Sequence, residues 1–333
     1  MILMMARRGP YYILDKILCF KNFNFVYYYF IMGIQRIVTL DPSATEAVSF
    51  LDGNTSRIFG VSDKCDFPPE VKLKPKVVRS LIKVNEEMSS LEIDREVKRH
   101  LASGKPLYEI DWEKIKEIKP ELVVGQSICG VCAFPVSSLL IHQSSVLVTA
   151  EELNVFDYSP RNFDEIFQKI YELGKILERE NRADELIKKY QYLKRELRGL
   201  GKSMKIVMIE WLMPIYVAGL WISQIIEMSG ATSLLASGEE GRQMNWDIIR
   251  NFNPDILFIS PCGFGIERTL KEIDLLFALP GWKEIKAKLN KNIYVVDSAY
   301  TSRSSPRILE FVKDFIEVLS GNEPRKEVMI RIE

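Results

Sequence analysis

Histidine is nearly absent from this chain: only His100 and His142 occur in 333 residues, and neither stands in metal-ligand spacing. So small a supply leaves little room for a Ser-His-Asp arrangement or a histidine-based metal centre, and no intrinsic metal or cofactor is expected. No glycine loop of the Walker type is present, which removes the usual cradle for nucleotide phosphates. Net charge is missing too, with 45 basic residues against 45 acidic. Nucleic acid calls for a basic face, so it is not an expected partner. Long apolar runs are also lacking. The aromatic stretch NFNFVYYYFI, residues 22–31, is ten residues long, about half of what a membrane-spanning helix needs. The segment before it carries Arg7, Arg8, Lys16 and Lys21 but no small-residue cleavage site, and Cys19 follows the bulky Leu18. No signal peptide is therefore recognisable. The expectation is that translation starts at Met32, with residues 1–31 an extension upstream of it, and that the protein is cytoplasmic or membrane-associated; an unusual membrane anchor is the alternative. The five cysteines, Cys19, Cys65, Cys129, Cys132 and Cys262, form an odd set that suits a reducing compartment.

What the chain does contain is a repeat. Residues 111–130 read DWEKIKEIKPELVVGQSICG and residues 245–263 read NWDIIRNFNPDILFISPCG. A one-residue gap before the cysteine aligns Trp112 with Trp246, Ile115 with Ile249, Pro120 with Pro254, Cys129 with Cys262 and Gly130 with Gly263. Glu113 then matches Asp247, and Glu121 matches Asp255. Each copy reads as a short helix closed by proline, an apolar strand and a Cys-Gly loop. Two such units in a chain of 38.5 kDa predict two similar lobes facing a cleft.

Around the repeat, IQRIVTLDPSATEAVSFL predicts a strand over 37–40 and a helix opened by Pro42 and Ser43. MKIVMIEWLMP, residues 204–214, echoes that strand and its acid, and NIYVVD, 292–297, echoes a strand at 146–148. Over 162–200, Asn162 with Glu165 resembles a capping box, and apolar residues recur at helical spacing from Ile166 to Leu197. One continuous helix there would extend about 55–60 Å. The expected architecture is α/β: an N-terminal lobe over 33–158, a linking helix over 162–200, a C-terminal lobe over 203–320 and a polar tail over 321–333, with mainly parallel sheets. Residues 72–106 are mixed and charged and yield no clear elements.

Four stretches in order, RIVTLDPSATEAV, GVSDKCDFPP, IKPELVVGQ and DSAYTSRSSPRI, resemble the vitamin B12 and ferric-siderophore substrate-binding proteins of ABC importers. SICGVCAFP, IEWLMPIYVAGLW and SPCGFG are most similar to the signal-less, cobalamin-binding branch. The resemblance runs from Met32 to about Ser320 and implies a class III periplasmic-binding-protein-like fold, with two lobes joined by one long helix. It implies a monomer that holds a corrinoid or ferric chelate and delivers it to an ABC permease. It also implies that Glu113 and Asp247 pair with permease arginines and that Arg303 contacts the ligand. Where those relatives have an aspartate four residues earlier, this chain has Ala299, with Asp297 nearby. An acid in the first turn of a helix, favoured by the macrodipole, accounts equally well for Glu113 and Asp247.

In parallel sheets, ligands bind beyond the carboxyl ends of the strands. The candidates following strands are Ser43 and Thr45; Phe67; Gln126, Cys129 and Cys132; Glu210, Trp211 and Trp221; Cys262 and Phe264; and Tyr300 and Arg303. The aromatic members suit a large, flat, partly apolar ligand, although ordinary core packing is the competing account and the better one for Trp246. Cys129-Gly-Val-Cys132 has redox-pair or half-zinc spacing, yet Cys262 supplies only a third thiol. Packed thiols, ligand contacts and a cytosolic redox or tetrapyrrole-handling role for these cysteines all stay open.

Overall fold

The computed structural model describes residues 33–332 apart from 86, 129, 132, 137 and 140–152. The chain divides into two units, Met1–Gln35 and Arg36–Glu333, and every helix and strand among the described residues belongs to the second.

The first lobe of this second unit runs β1 (Ile37–Thr39), α1 (Pro42–Asp52), β2 (Ile58–Ser62), β3 (Lys76–Ser80), α2 (Ser90–Ala102), β4 (Tyr108–Ile110), α3 (Trp112–Ile118), β5 (Leu122–Gly125) and β6 (Val155–Asp157). The sheet order is β4-β3-β2-β1-β5-β6, parallel except where β3 meets β4. The segment left without clear elements in the sequence thus supplies β3 and α2. Asp41 starts α1 by accepting from the Ala44 N–H, Pro42 pre-sets the first turn, and Gly53 ends the helix at φ 72. Ser89 and Glu92 form a reciprocal capping box on α2.

The link is corrected from one helix to two, α4 (Phe163–Ile176) and α5 (Glu180–Leu197). Glu178 between them takes φ 58, and Gly174 lies so close to Ala183 that a β-carbon on it would sit 2.8 Å from the Ala183 Cβ. The chain therefore doubles back, Phe167 stacks on Tyr190 at 4.4 Å, and Asp164 accepts from Lys194 Nζ at 2.7 Å. α5 spans only about 27 Å. Asn162 caps α4 by accepting from the Glu165 N–H at 2.9 Å, as the spacing indicated.

The second lobe runs β7 (Lys205–Trp211), β8 (Tyr216–Val217), α6 (Leu220–Met228), β9 (Thr232–Ser233), β10 (Arg242–Gln243), α7 (Trp246–Phe252), β11 (Ile256–Ile259), α8 (Ile266–Leu270), α9 (Asp274–Phe277), α10 (Lys286–Leu289), β12 (Ile293–Val296), α11 (Ile308–Leu319) and β13 (Met329–Ile332). Its order is β10-β8-β7-β11-β12-β13, with β9 on β7; the central strands are parallel and the flanking pairs antiparallel. The tail expected over 321–333 is corrected too, because β13 closes the sheet edge. Val328 and Met329 are buried, and the Arg325 backbone N–H donates to Asp314 Oδ1 at 2.8 Å.

The repeat survives as matched geometry. α3 and α7 each end in a left-handed residue, Lys119 at φ 50 and Asn253 at φ 55. Glu121 accepts from the Arg36 N–H at 3.0 Å, and Asp255 accepts from the Lys205 N–H at 2.8 Å. β5 lies between β1 and β6, as β11 lies between β7 and β12. The echo of β12 is β6, since Val123 N–H donates to Asn154 O where Leu257 N–H donates to Asn292 O. The strand expected at 146–148 lies outside the described residues.

Candidate functional site between the lobes

Beyond the carboxyl ends of β1, β2 and β12, the lobes meet through charge. Glu46, on α1, is wholly buried and accepts from Arg303 Nη1 at 2.6 Å, Arg307 Nη1 at 3.2 Å and the Ser305 hydroxyl. Arg303 also grips Asp66 with both nitrogens, Nη1 to Oδ1 at 2.6 Å and Nη2 to Oδ2 at 2.9 Å. Burial alone would raise the Asp66 carboxyl, but the hydrogen bond and charge of Arg303 outweigh it and hold Asp66 below the usual carboxylate range. Burial likewise opposes the Arg303 charge, and the two acids more than restore it. The Arg307 guanidinium lies 4.4 Å from the Phe67 ring centre and 4.5 Å from that of Tyr300. Ser43 Oγ accepts from the Ser304 N–H at 3.2 Å.

A second contact lies beyond β3, β7 and β11. Trp211 tilts against Phe264 at 5.3 Å, and the Arg268 guanidinium covers Phe264 at 4.2 Å. Arg268 Nη2 donates across the lobes to Met88 O at 2.6 Å, while Glu272 accepts from the Ser90 N–H at 2.8 Å and hydroxyl at 2.7 Å. Burial would raise the Glu272 carboxyl, and the Ser90 and Arg268 hydrogen bonds outweigh it, so Glu272 sits low. Trp211 Nε1 is buried with no hydrogen-bond partner among the described residues. A buried donor left unpaired in this way is costly unless something accepts from it. Glu210 presses on Gly241 so closely that a β-carbon there would lie 1.9 Å from Glu210 Oε1. The Cys262 N–H donates to Glu210 O at 2.9 Å.

Of the residues picked from the sequence, Ser43, Phe67, Tyr300 and Arg303 come together in the first contact, and Trp211 and Phe264 in the second; Glu210 and Cys262 flank the latter. Three others are buried away from these contacts. Thr45 is fully buried, its hydroxyl 2.6 Å from that of Thr39 and 3.0 Å from Cys65 Sγ. Trp221 is buried and donates from Nε1 to Thr301 O at 2.7 Å, so it supports the loop carrying Arg303 from behind. Gln126 is buried and turned back onto its own Ile128 N–H. Trp246 is core, bonded through Nε1 to Pro280 O at 2.8 Å and packed on Trp282. Cys129 and Cys132 lie outside the described residues. The Cys65 thiol is buried and pushed to about 12, mainly by burial, so it is not a thiolate at neutral pH. Glu46 and Asp66 were missed. The available signal for Glu46 was that it is the one charge between Asp41 and Asp52. Among the described residues, no group of three or more His, Cys, Asp or Glu is placed to hold a metal ion.

Residues 37–300 match the family model described as periplasmic binding protein. An uncharacterized ABC transporter substrate-binding lipoprotein of Bacillus subtilis, YvrC, is 24% identical over 294 residues, covering 85% of this chain and 79% of the relative. The periplasmic vitamin B12 binding protein BtuF of Vibrio cholerae superposes with a TM-score of 0.61 at 19% identity, covering 86% of this chain and 97% of that one. A periplasmic heme binding protein of Pseudomonas aeruginosa gives 0.64 at 16% identity, covering 90% and 98%. These likenesses establish the two-lobed class III fold. They also correct the cytoplasmic or membrane-associated placement, because the matching family is periplasmic and the curated relative is a lipoprotein. No helix among the described residues is long and apolar enough to cross a membrane.

Proposed function

The chain belongs to the periplasmic binding protein family, whose members are substrate-binding proteins and not enzymes, and on that premise we propose that it holds a corrinoid, haem or ferric-siderophore type of chelate between its lobes for an ABC permease. The observation that carries this reading is the cluster in which Arg303 and Arg307 stand beside Phe67 and Tyr300 at the lobe interface. Aromatic faces suit the flat apolar part of such a ligand, and guanidinium groups suit its anionic edge. Trp211 adds, at the second contact, a donor that has no partner among the described residues. The three-thiol redox reading has nothing comparable behind it.

Docking to the permease would use Glu113 and Asp247. Both are exposed in the first turn of matched helices, each with a base three residues on, Lys116 at 3.0 Å and Arg250 at 3.1 Å. Such exposed pairs are weak, so a permease arginine can replace the internal partner at little cost. The test is titration of the purified protein with cyanocobalamin, haemin and ferric siderophores, followed by absorbance and tryptophan quenching. Saturable one-to-one binding at about micromolar affinity or tighter is expected for at least one of them. Absence of binding by all three classes would refute the reading.

A further inference from the structure

We infer that Asp66 is an internal stand-in for a ligand carboxylate on Arg303, so that the chelate taken up carries a carboxylate edge and Asp66 sets its affinity. The inference rests on the binding function proposed above and narrows its substrate class.

Two acids share Arg303, and they differ in what holds them. Glu46 is wholly buried and also bonded to Arg307 and Ser305, so removing it would take the carboxylate from Arg307 and leave Arg303 with Asp66 alone. Asp66 comes from the loop after β2, and half of its side chain is exposed, at 50%. Its two oxygens meet Nη1 and Nη2 in the parallel fork by which arginine recognises a free carboxylate. The fixed acid thus lies beneath the arginine and the replaceable one above it.

The charges decide which ligand can make the exchange. Glu46, Asp66, Arg303 and Arg307 sum to zero as they stand. A ligand carboxylate that displaces Asp66 keeps a bidentate partner on Arg303. A chelate bearing only amides or esters must either leave the Asp66 pair in place or strip it without an equivalent replacement. The cluster therefore favours carboxylate-bearing chelates over neutral ones. While Asp66 occupies Arg303, apparent affinity is lowered by the fraction of time the fork is closed.

The test compares wild type, Asp66→Asn and Arg303→Gln against three probes: haemin, haemin dimethyl ester and cyanocobalamin, with circular dichroism confirming the fold. Asp66→Asn is expected to tighten haemin binding about three- to tenfold, the span of a half-exposed ion pair, and to change ester binding less than about twofold. Arg303→Gln is expected to erase the preference for haemin over its ester. Unchanged or weakened haemin binding in Asp66→Asn, or cyanocobalamin bound more tightly than haemin by wild type, overturns the inference while leaving the binding function intact. If wild type binds none of the probes and no ferric siderophore, the function itself fails and the inference with it.

Discussion

Asp41 is predicted to cost stability at neutral pH, and Asp41→Asn to recover it. Asp41 is 2% exposed at the carboxyl end of β1; Oδ1 caps α1, and Oδ2 has no hydrogen-bond partner among the described residues. Folding raises its carboxyl from 3.8 to about 6, chiefly through burial, against backbone N–H groups of Ala44, Ser43 and Gln126 that pull it down; the Glu46 charge pushes the same way as burial. The groups facing it agree, since burial and then the Asp41 charge raise both Cys65, through its thiol, and Tyr158, whose buried hydroxyl also has no hydrogen-bond partner among the described residues. At about 1.4 kcal/mol per pH unit, that displacement corresponds to about 3 kcal/mol. The sign follows from linkage. The raised carboxyl favours folding fully below 3.8, and that contribution is lost as pH rises through about 6. Asparagine caps a helix as well as aspartate and does not ionise. The stability difference, variant minus wild type, is therefore expected to grow by about 2.5 kcal/mol between about pH 4 and about pH 7.5. The net gain at neutral pH is smaller, about 1–2 kcal/mol, because the new amide is itself buried. Urea unfolding followed by circular dichroism across that range measures it. A difference that is flat, or that falls as pH rises, would refute the assignment of a buried, partly unpaired carboxylate.

Glu46→Gln removes the shared charge under Arg303 and Arg307 and is expected to cost about 3 kcal/mol, read by calorimetry; a loss below about 1 kcal/mol would mean that the arginines find other partners. The repeat predicts an unequal pair: Lys119→Gly should stabilise by about 0.5–1 kcal/mol, because lysine at φ 50 is strained, whereas Asn253→Gly at φ 55 should change little, because asparagine tolerates that region. Equal effects in denaturant melts would contradict the strain argument. Asp66 and Glu272, the acids of the two inter-lobe contacts, both sit low despite burial, so their contribution is present above the ordinary carboxylate range and lost as pH falls through their lowered values. Small-angle scattering should show the lobes separating on acidification below about pH 4 before either lobe unfolds. Separation only together with unfolding would assign the inter-lobe hold to other contacts.

The scaffold was readable because it follows from local rules acting twice. Pro120 and Pro254 stop matched helices, apolar runs after them make β5 and β11, and Glu121 and Asp255 tie each helix end to the start of the neighbouring strand, β1 or β7. The linking element was misread because helical periodicity persists through Leu177, and nothing in the periodicity reveals that Glu178 turns left-handed where Gly174 admits Ala183. Likewise, the charged end of the chain concealed β13, whose place depends on a sheet edge formed by distant residues. Strand-end position located Ser43, Phe67, Tyr300 and Arg303 but says nothing of side-chain orientation, and Thr45, Gln126 and Trp221, selected by the same rule, are buried.

The asymmetry of the cleft explains why the repeat could reveal the frame but not the site. At one contact, the first lobe supplies acids, Glu46 and Asp66, and the second supplies bases, Arg303 and Arg307. At the other, the first lobe offers mainly backbone at Met88 and Ser90, and the second offers the Arg268 and Glu272 side chains. None of these residues has a chemically matching partner in the other copy, so they cannot be found by aligning the chain with itself. They do share a physical character: each contact is a small set of directional, partly solvated polar bonds. Such bonds exchange one partner for another at low net cost, whereas an apolar interface must be dewetted and closed as a unit. Two lobes joined through a helical hairpin and held by replaceable charges can therefore trade an internal carboxylate for a ligand's with little change in their own packing.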